Sequence, residues 1–238
     1  MKSVMLVAAA GVLLMGIERV RPSVPLPAVR GWAWRAALLN GVQVLVVYAG
    51  ALTWDRWLPG LALWDGARWG AIPAVALGYL TITFVYYWWH RARHEIPLLW
   101  RWLHQVHHSA ERLEVVTSFY KHPLEILVNG ILSSVILHVV LGLSPAIASI
   151  VVTITGLAEL VYHGNLRTPH WLGYLFQRPE SHRRHHERGH HRGNYSDLPI
   201  WDLMFDTLDN PRETPRECGF GPGRERQWRR LMTGRHPR

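Results

Sequence analysis

The chain alternates long apolar runs with polar, arginine-rich connections. Five runs stand out, at residues 4–17, 36–54, 71–89, 124–143 and 146–162. A helix that crosses a bilayer needs about 20 mostly apolar residues at a rise of about 1.5 Å each. The third, fourth and fifth runs meet that length and the second is adequate. The first is short, and Glu18, Arg19 and Arg21 follow it at once. Ile17-Glu18-Arg19 offers no small-residue cleavage site of the kind that ends a signal peptide, so this run reads as an anchor helix. The pattern predicts an all-α, polytopic membrane protein with four to five transmembrane helices. We read residues 1–238 as one membrane domain, with N-terminal spans over 1–70, a core over 71–212 and a basic tail over 213–238.

Charge orients the spans. About half of the residues are hydrophobic, yet the formal net charge is +9. Five spans place 18–35, 90–122 and 163–238 on one side, and 55–70 and the Leu143-Ser144-Pro145 turn on the other. Of the Lys and Arg residues, only Lys2, Arg56 and Arg68 fall on the second side. The positive-inside rule makes the first side cytoplasmic. The expected localisation is therefore integral to a membrane, the bacterial inner membrane, with a helical cap on the cytoplasmic side.

That side also carries three histidine clusters: His90-Arg-Ala-Arg-His94, His104-Gln-Val-His107-His108 and His182-Arg-Arg-His185-His186. Residues three or four apart share a helix face, so each cluster can aim two or three imidazoles at one point. Neutral imidazole is the commonest protein metal ligand. Eight histidines in this arrangement imply more than one ion. Cys218 is the only cysteine, and an all-imidazole shell suits Fe, Cu, Zn or Ni rather than Mg or Ca. Tyr86-Tyr87-Trp88-Trp89 forms an interfacial belt just before His90. Pro97 marks a helix break, and Leu98 to His108 reads as a short helix along the interface. His122 and His163 lie at the cytoplasmic ends of two further spans, where additional ligands would have to be. His138 is deep in a span and reads as a neutral ring bonded to a neighbour. His170 and His236 read as loop and tail residues, and His190 and His191 as a glycine-bracketed loop outside the ligand set.

With these motifs in order, the chain resembles the fatty acid hydroxylase/sterol desaturase superfamily over roughly residues 75–212. The HxxxH box and both HxxHH boxes are intact. Flanking matches are Tyr87-Trp88-Trp89-His90-Arg91, His107-His108-Ser109, His122-Pro123-Leu124-Glu125, His163-Gly164-Asn165-Leu166-Arg167, and Asn194-Tyr195 through Trp201-Asp202. The resemblance implies a membrane oxidoreductase with a dinuclear iron centre, O2 as co-substrate, and oxidation of an aliphatic carbon on a membrane lipid. It also implies His122 and His163 as additions to the ligand set of His90, His94, His104, His107, His108, His182, His185 and His186.

The remaining residues fit that reading. Redox metals supply the strong oxidant that side chains cannot. Glu125, Glu159, Asp197, Asp202 and Asp206 are candidates to fix the imidazole tautomers, and Asn165 is a candidate to hold a ligand by a hydrogen bond. No GxGxxG fingerprint and no CxxCH is present, so electrons must come from a separate donor, a reductase or small redox carrier. No nucleic-acid motif accompanies the high charge, so no nucleic-acid partner is expected. Two other classes are open: a divalent-metal transporter or metal-binding protein, and a membrane haem protein. The transporter would want ligands near the midplane, and the haem protein leaves the HxxHH triplets unexplained.

Overall fold

The computed structural model describes residues 2–238. Among the described residues the only β feature is an isolated bridge between Glu187 and Cys218. The helices are α1 (Lys2–Val20), α2 (Trp32–Leu52), α3 (Trp54–Trp57), α4 (Ala71–Glu95), α5 (Pro97–Leu99), α6 (Gln105–His108), α7 (Pro123–Ser134), α8 (Pro145–His163), α9 (Pro179–His185), α10 (Pro199–Met204) and α11 (Trp228–Met232). Five helical stretches are long and apolar enough to cross a membrane: Lys2–Val20, Trp32–Leu61, Ala71–Glu95, Pro123–Val140 and Pro145–His163. They coincide with the five apolar runs.

Local chemistry sets the ends of these helices. Pro145 occupies the first turn of α8, where a missing N–H costs nothing. Ser144 caps it by accepting from the Ile147 amide. Pro123 plays the same part in α7, with the His122 ring as its cap. Ile96 is extended before Pro97 and ends α4. The α7 helix runs on as a π-helix over Val135–Val140, and a second π-helical turn, Trp100–His104, joins α5 to α6.

The spans pack as α1 on α8, α8 on α4 and α7 on α2. Gly78 lets α4 approach α8: a Cβ there would lie 2.9 Å from both Leu143 and Val151. Around it Ala74, Ile82, Leu137 and Val151 form a buried core. Outward-facing residues such as Leu13, Leu45 and Ile72 stay exposed, as a lipid-facing surface requires.

The C-terminal region does not form a loose basic tail. Glu225 is fully buried and paired with Arg35 of α2, and its other oxygen accepts from the Glu111 amide at 2.7 Å. Leu231 is buried with Trp32, Val106 and Tyr120. Two buried charges that satisfy each other and one apolar anchor therefore fold residues 219–232 over the ends of α2 and α6. In the sequence residues 213–238 read only as a basic tail, because one Glu and one Leu are inconspicuous among many arginines.

Candidate metal centre

The three boxes meet at one end of the bundle. The last turn of α4 brings His90 and His94, the α5–α6 segment brings His104, His107 and His108, and α9 brings His182, His185 and His186. The end of α8 adds His163. These nine rings form two adjoining groups: His90, His94, His104, His108 and His185 in one, and His107, His163, His182 and His186 in the other. Within each group the candidate ligand nitrogens lie within 4.8 Å of one another. Two ligands on opposite sides of one ion, each at about 2.1 Å, would be about 4.2 Å apart. Each group is thus the size of a single coordination shell.

Each HxxHH box divides between the groups, rather than aiming at one point. His104 and His108 share a group, as do His182 and His186. Their spacing of four turns a helix by only about 40° beyond one turn. The middle histidines, His107 and His185, cross to the other group. Neighbouring rings interlock the two: His108 stacks on His186 at 4.1 Å.

Backbone carbonyls set the tautomers. His90 Nδ1 lies 2.8 Å from the Tyr195 carbonyl, His163 Nδ1 2.9 Å from Glu159 O, and His185 Nδ1 2.6 Å from Gly193 O. His107 Nδ1 lies 3.2 Å from Tyr120 O. A carbonyl can only accept, so each Nδ1 carries the proton and each Nε2 presents a lone pair. For His104 the acceptor is the Glu125 carboxylate at 2.9 Å, itself paired with buried Arg93. His108 Nδ1 faces Nδ1 of His191 at 3.1 Å.

The result is a set of buried lone pairs aimed inward. His90 Nε2, His94 Nε2 and His185 Nε2 have no hydrogen-bond partner, nor does either nitrogen of His186. His163 Nε2 lies 3.1 Å from His107 Nε2 and 3.0 Å from His182 Nε2. Burial lowers the pKa of His104, His107, His108, His182 and His186, and neighbouring cations and imidazoles add to it. Burial takes His185 down to about 3. Neutral, desolvated imidazoles with converging lone pairs are a donor set for a soft or borderline cation, and they fit iron.

The other expected positions fall outside the groups. His122 is not brought to either: its Nδ1 accepts from the Leu124 amide at 3.1 Å, and its Nε2 faces Met232 O at 3.4 Å. As the cap of α7 the ring is engaged away from the centre. Asn165 does not touch a histidine; its side chain clasps the backbone of Val24. His138 donates from the π-helical stretch to Leu143 O in the connection that follows it. Of the carboxylates expected to orient rings, only Glu125 hydrogen-bonds one among the described residues. Glu159 pairs with Lys121. Asp202 works one step removed, accepting the amides of Tyr195 and Ser196 at 2.8 and 3.0 Å.

The carbonyls of Tyr120, Gly193 and Tyr195 were not legible in the sequence, because backbone acceptors carry no side-chain signature. The loop that carries Gly193 and Tyr195 is shaped by left-handed residues: Gly189, His191, Gly193 and Asn194 all have positive φ. The Gly-bracketed run was the visible trace of that geometry. Beside the rings a cavity of about 240 Å³ reaches from His90, His107 and His163 down between α2, α4, α7 and α8, past Ile82, Ile126 and Val152.

Comparison with known proteins agrees with this site. The fatty acid hydroxylase family model matches residues 75–207, and the chain belongs to that family. It is 32% identical over 149 residues to ornithine lipid hydroxylase OlsE of Rhizobium tropici, covering 60% of this chain and 44% of that protein. It is 30% identical over 142 residues to alkylglycerol monooxygenase of Homo sapiens, covering 57% and 30%. It is 32% identical over 206 residues to a very-long-chain aldehyde decarbonylase of Oryza sativa subsp. indica, covering 74% and 29%. The chain thus spans less than half the length of these curated relatives. No solved structure matches.

Proposed function

We propose that this chain is a membrane-bound oxidoreductase, an O2-dependent hydroxylase or desaturase that oxidises an aliphatic C–H of a sterol-like or fatty-acyl lipid at a dinuclear iron centre. One observation carries the reading: two adjoining groups of five and four imidazoles open on a cavity that runs between the spanning helices. His90, His94, His104, His108 and His185 would hold one iron, and His107, His163, His182 and His186 the other. When bound, the irons supply the redox chemistry with O2 that amino-acid side chains lack. The protein's own part is positional. Tyr120, Glu159, Gly193, Tyr195 and Glu125 hold the rings in one tautomer. Burial keeps the rings neutral and the centre dry. Ile82, Ile126 and Val152 line the path for an alkyl chain.

Family membership and the named activities of the lipid-acting relatives support an oxidoreductase. The Lys/Arg asymmetry of the connections supports a centre on the cytoplasmic face, at the inner membrane of a bacterium. A separate reductase or redox carrier would deliver the electrons. The metal-transporter reading wants ligands near mid-bilayer, whereas the one deep histidine, His138, is bonded to the Leu143 carbonyl in the connection after its own helix.

The test is oxidation of membrane lipid by iron-loaded protein in nanodiscs of total bacterial lipid, with O2 and a chemical reductant, read by mass spectrometry of the extract. The expected product is a lipid that has gained one oxygen or lost two hydrogens, absent for His107→Ala and His185→Ala. Product formed equally by those variants would refute the assignment.

A further inference from the structure

Two short segments that follow the last span are apolar on their outer surface although they lie in the cap. Trp171, Leu175 and Phe176 belong to or adjoin the single 3-10 turn His170–Tyr174, and Ile200, Leu203 and Met204 belong to α10. Each of these six side chains is at least half exposed. The two segments pack on each other, so their apolar residues form one surface. A patch of this kind on a soluble face marks an interaction site.

Its position along α4 identifies the partner. Trp201 Nε1 donates to Thr83 Oγ1 at 3.0 Å, and the Ser196 hydroxyl donates to Thr83 O at 3.3 Å. Phe84 packs on Trp201 at 5.0 Å, and Phe205 packs on Trp88 at 4.7 Å. Thus α10 lies alongside residues 83–88 of a spanning helix. Thr83 is five residues before Trp88, about 8 Å along the axis at about 1.5 Å per residue. That depth is below the Trp88-Trp89 belt and inside the apolar part of the span. The patch is continuous with the lipid-facing surface of α4, where Phe84 and Trp88 are also exposed.

We propose that His170–Phe176 and Pro199–Met204 form a re-entrant wedge that sits in the hydrocarbon of the leaflet at the histidine-rich end. Its partner is the lipid acyl region, not a second protein. The inner side of the wedge is polar and fixed. Asp202 is fully buried and holds the Tyr195 and Ser196 amides, and the Tyr195 carbonyl holds His90. Gln177 and Asn194–Asp197, between the two apolar segments, line the cavity. The wedge is therefore the wall between leaflet and centre, and a bilayer lipid reaches the rings past it rather than from water.

Fluorescence quenching of full-length protein in phosphatidylcholine/phosphatidylglycerol nanodiscs tests this. Single cysteines, Leu175→Cys, Ile200→Cys and Leu203→Cys, are introduced with Cys218→Ser and labelled with a bimane. Leu45→Cys on the exposed face of α2 is the lipid control, and Arg229→Cys on the exposed face of α11 is the aqueous control. Phosphatidylcholine brominated near the start of its acyl chains should quench the three wedge labels as it quenches Leu45→Cys, and aqueous iodide should leave them bright. Iodide quenching equal to that of Arg229→Cys would overturn the proposal. Labels protected from both quenchers would overturn it too, since a protein partner would then cover the patch. All five labels replace exposed side chains, so folding should be retained, and unchanged elution as a single species checks it.

Discussion

The Nε2 atoms of His107 and His163 lie 3.1 Å apart, and each ring already donates its Nδ1 proton to a carbonyl, of Tyr120 and Glu159 respectively. Two lone pairs therefore face each other between two buried rings. Unpartnered buried polar atoms cost on the order of 1–3 kcal/mol each, a cost that a cation held between the rings would offset. The same logic applies to His163 and His182 at 3.0 Å.

His163→Ala should accordingly cost the second group its ion, while His122→Ala should not. His122 engages the Leu124 amide and faces Met232, so its loss weakens the start of α7 by about 1 kcal/mol, as for a lost helix cap. Cobalt titration followed by its visible spectrum measures both variants. Equal loss of metal in His122→Ala would restore that residue to the ligand set.

Glu125→Leu removes the acceptor of His104 Nδ1 and leaves Arg93 buried without its carboxylate. Loss of such an orienting partner lowers metal affinity by about 10–100-fold. Leaving one charge of a buried pair uncompensated costs on the order of 3 kcal/mol. Competition with a chelator reads the first effect and thermal unfolding the second. Wild-type affinity in this variant would show that the carboxylate does not orient the ring.

Two positions in the 189–194 loop separate backbone shape from hydrogen bonding. Gly193 has φ 69°, and a Cβ there would lie 2.8 Å from Thr207 O. Gly193→Ala should displace the carbonyl from His185 and cost on the order of 2 kcal/mol. His191 has φ 41° and faces His108. His191→Gly relieves the strain but deletes the contact, whereas His191→Asn tolerates positive φ and keeps an acceptor. Metal retention should be better in His191→Asn than in His191→Gly. Identical behaviour would mean that the contact with His108 has no orienting effect.

The pH dependence of the metal-free protein has a definite sign. His104, His107, His108, His182, His185 and His186 all have folded-state pKa values lowered by burial, His185 to about 3. Below the unfolded value of about 6.5 the unfolded chain binds protons that the folded chain refuses. Stability should therefore be highest above about pH 6.5 and fall steadily as pH drops toward 3. Thermal midpoints of metal-free protein across that range check this, and a midpoint rising on acidification would contradict it.

Much of this fold was legible in the sequence because membranes impose long apolar runs. All five spans, the Pro97 break and the shared side of the three boxes follow from hydropathy, proline and helical spacing. Nine of the ten expected ligands are brought together: eight because a spacing of three or four fixes a helix face, and His163 because it ends a span on the same side. His122 was not separable from His163, since both end a span. Only the Leu124 amide at its ring shows that it caps instead. The division of each HxxHH box between two groups depends on how three helices cross, which no single helix specifies. The folding of Glu225 onto Arg35 and the placement of α10 beside Thr83 are long-range contacts with no local periodicity.

If nine imidazoles form two separate metal sites, each chain should bind two irons, which can be counted. Full-length protein is loaded anaerobically with ferrous iron, desalted, and assayed for iron per chain together with its Mössbauer spectrum. The account predicts two irons per chain in histidine environments, falling to one in His163→Ala. A single iron per chain in the wild type, or a count unchanged by His163→Ala, would contradict it.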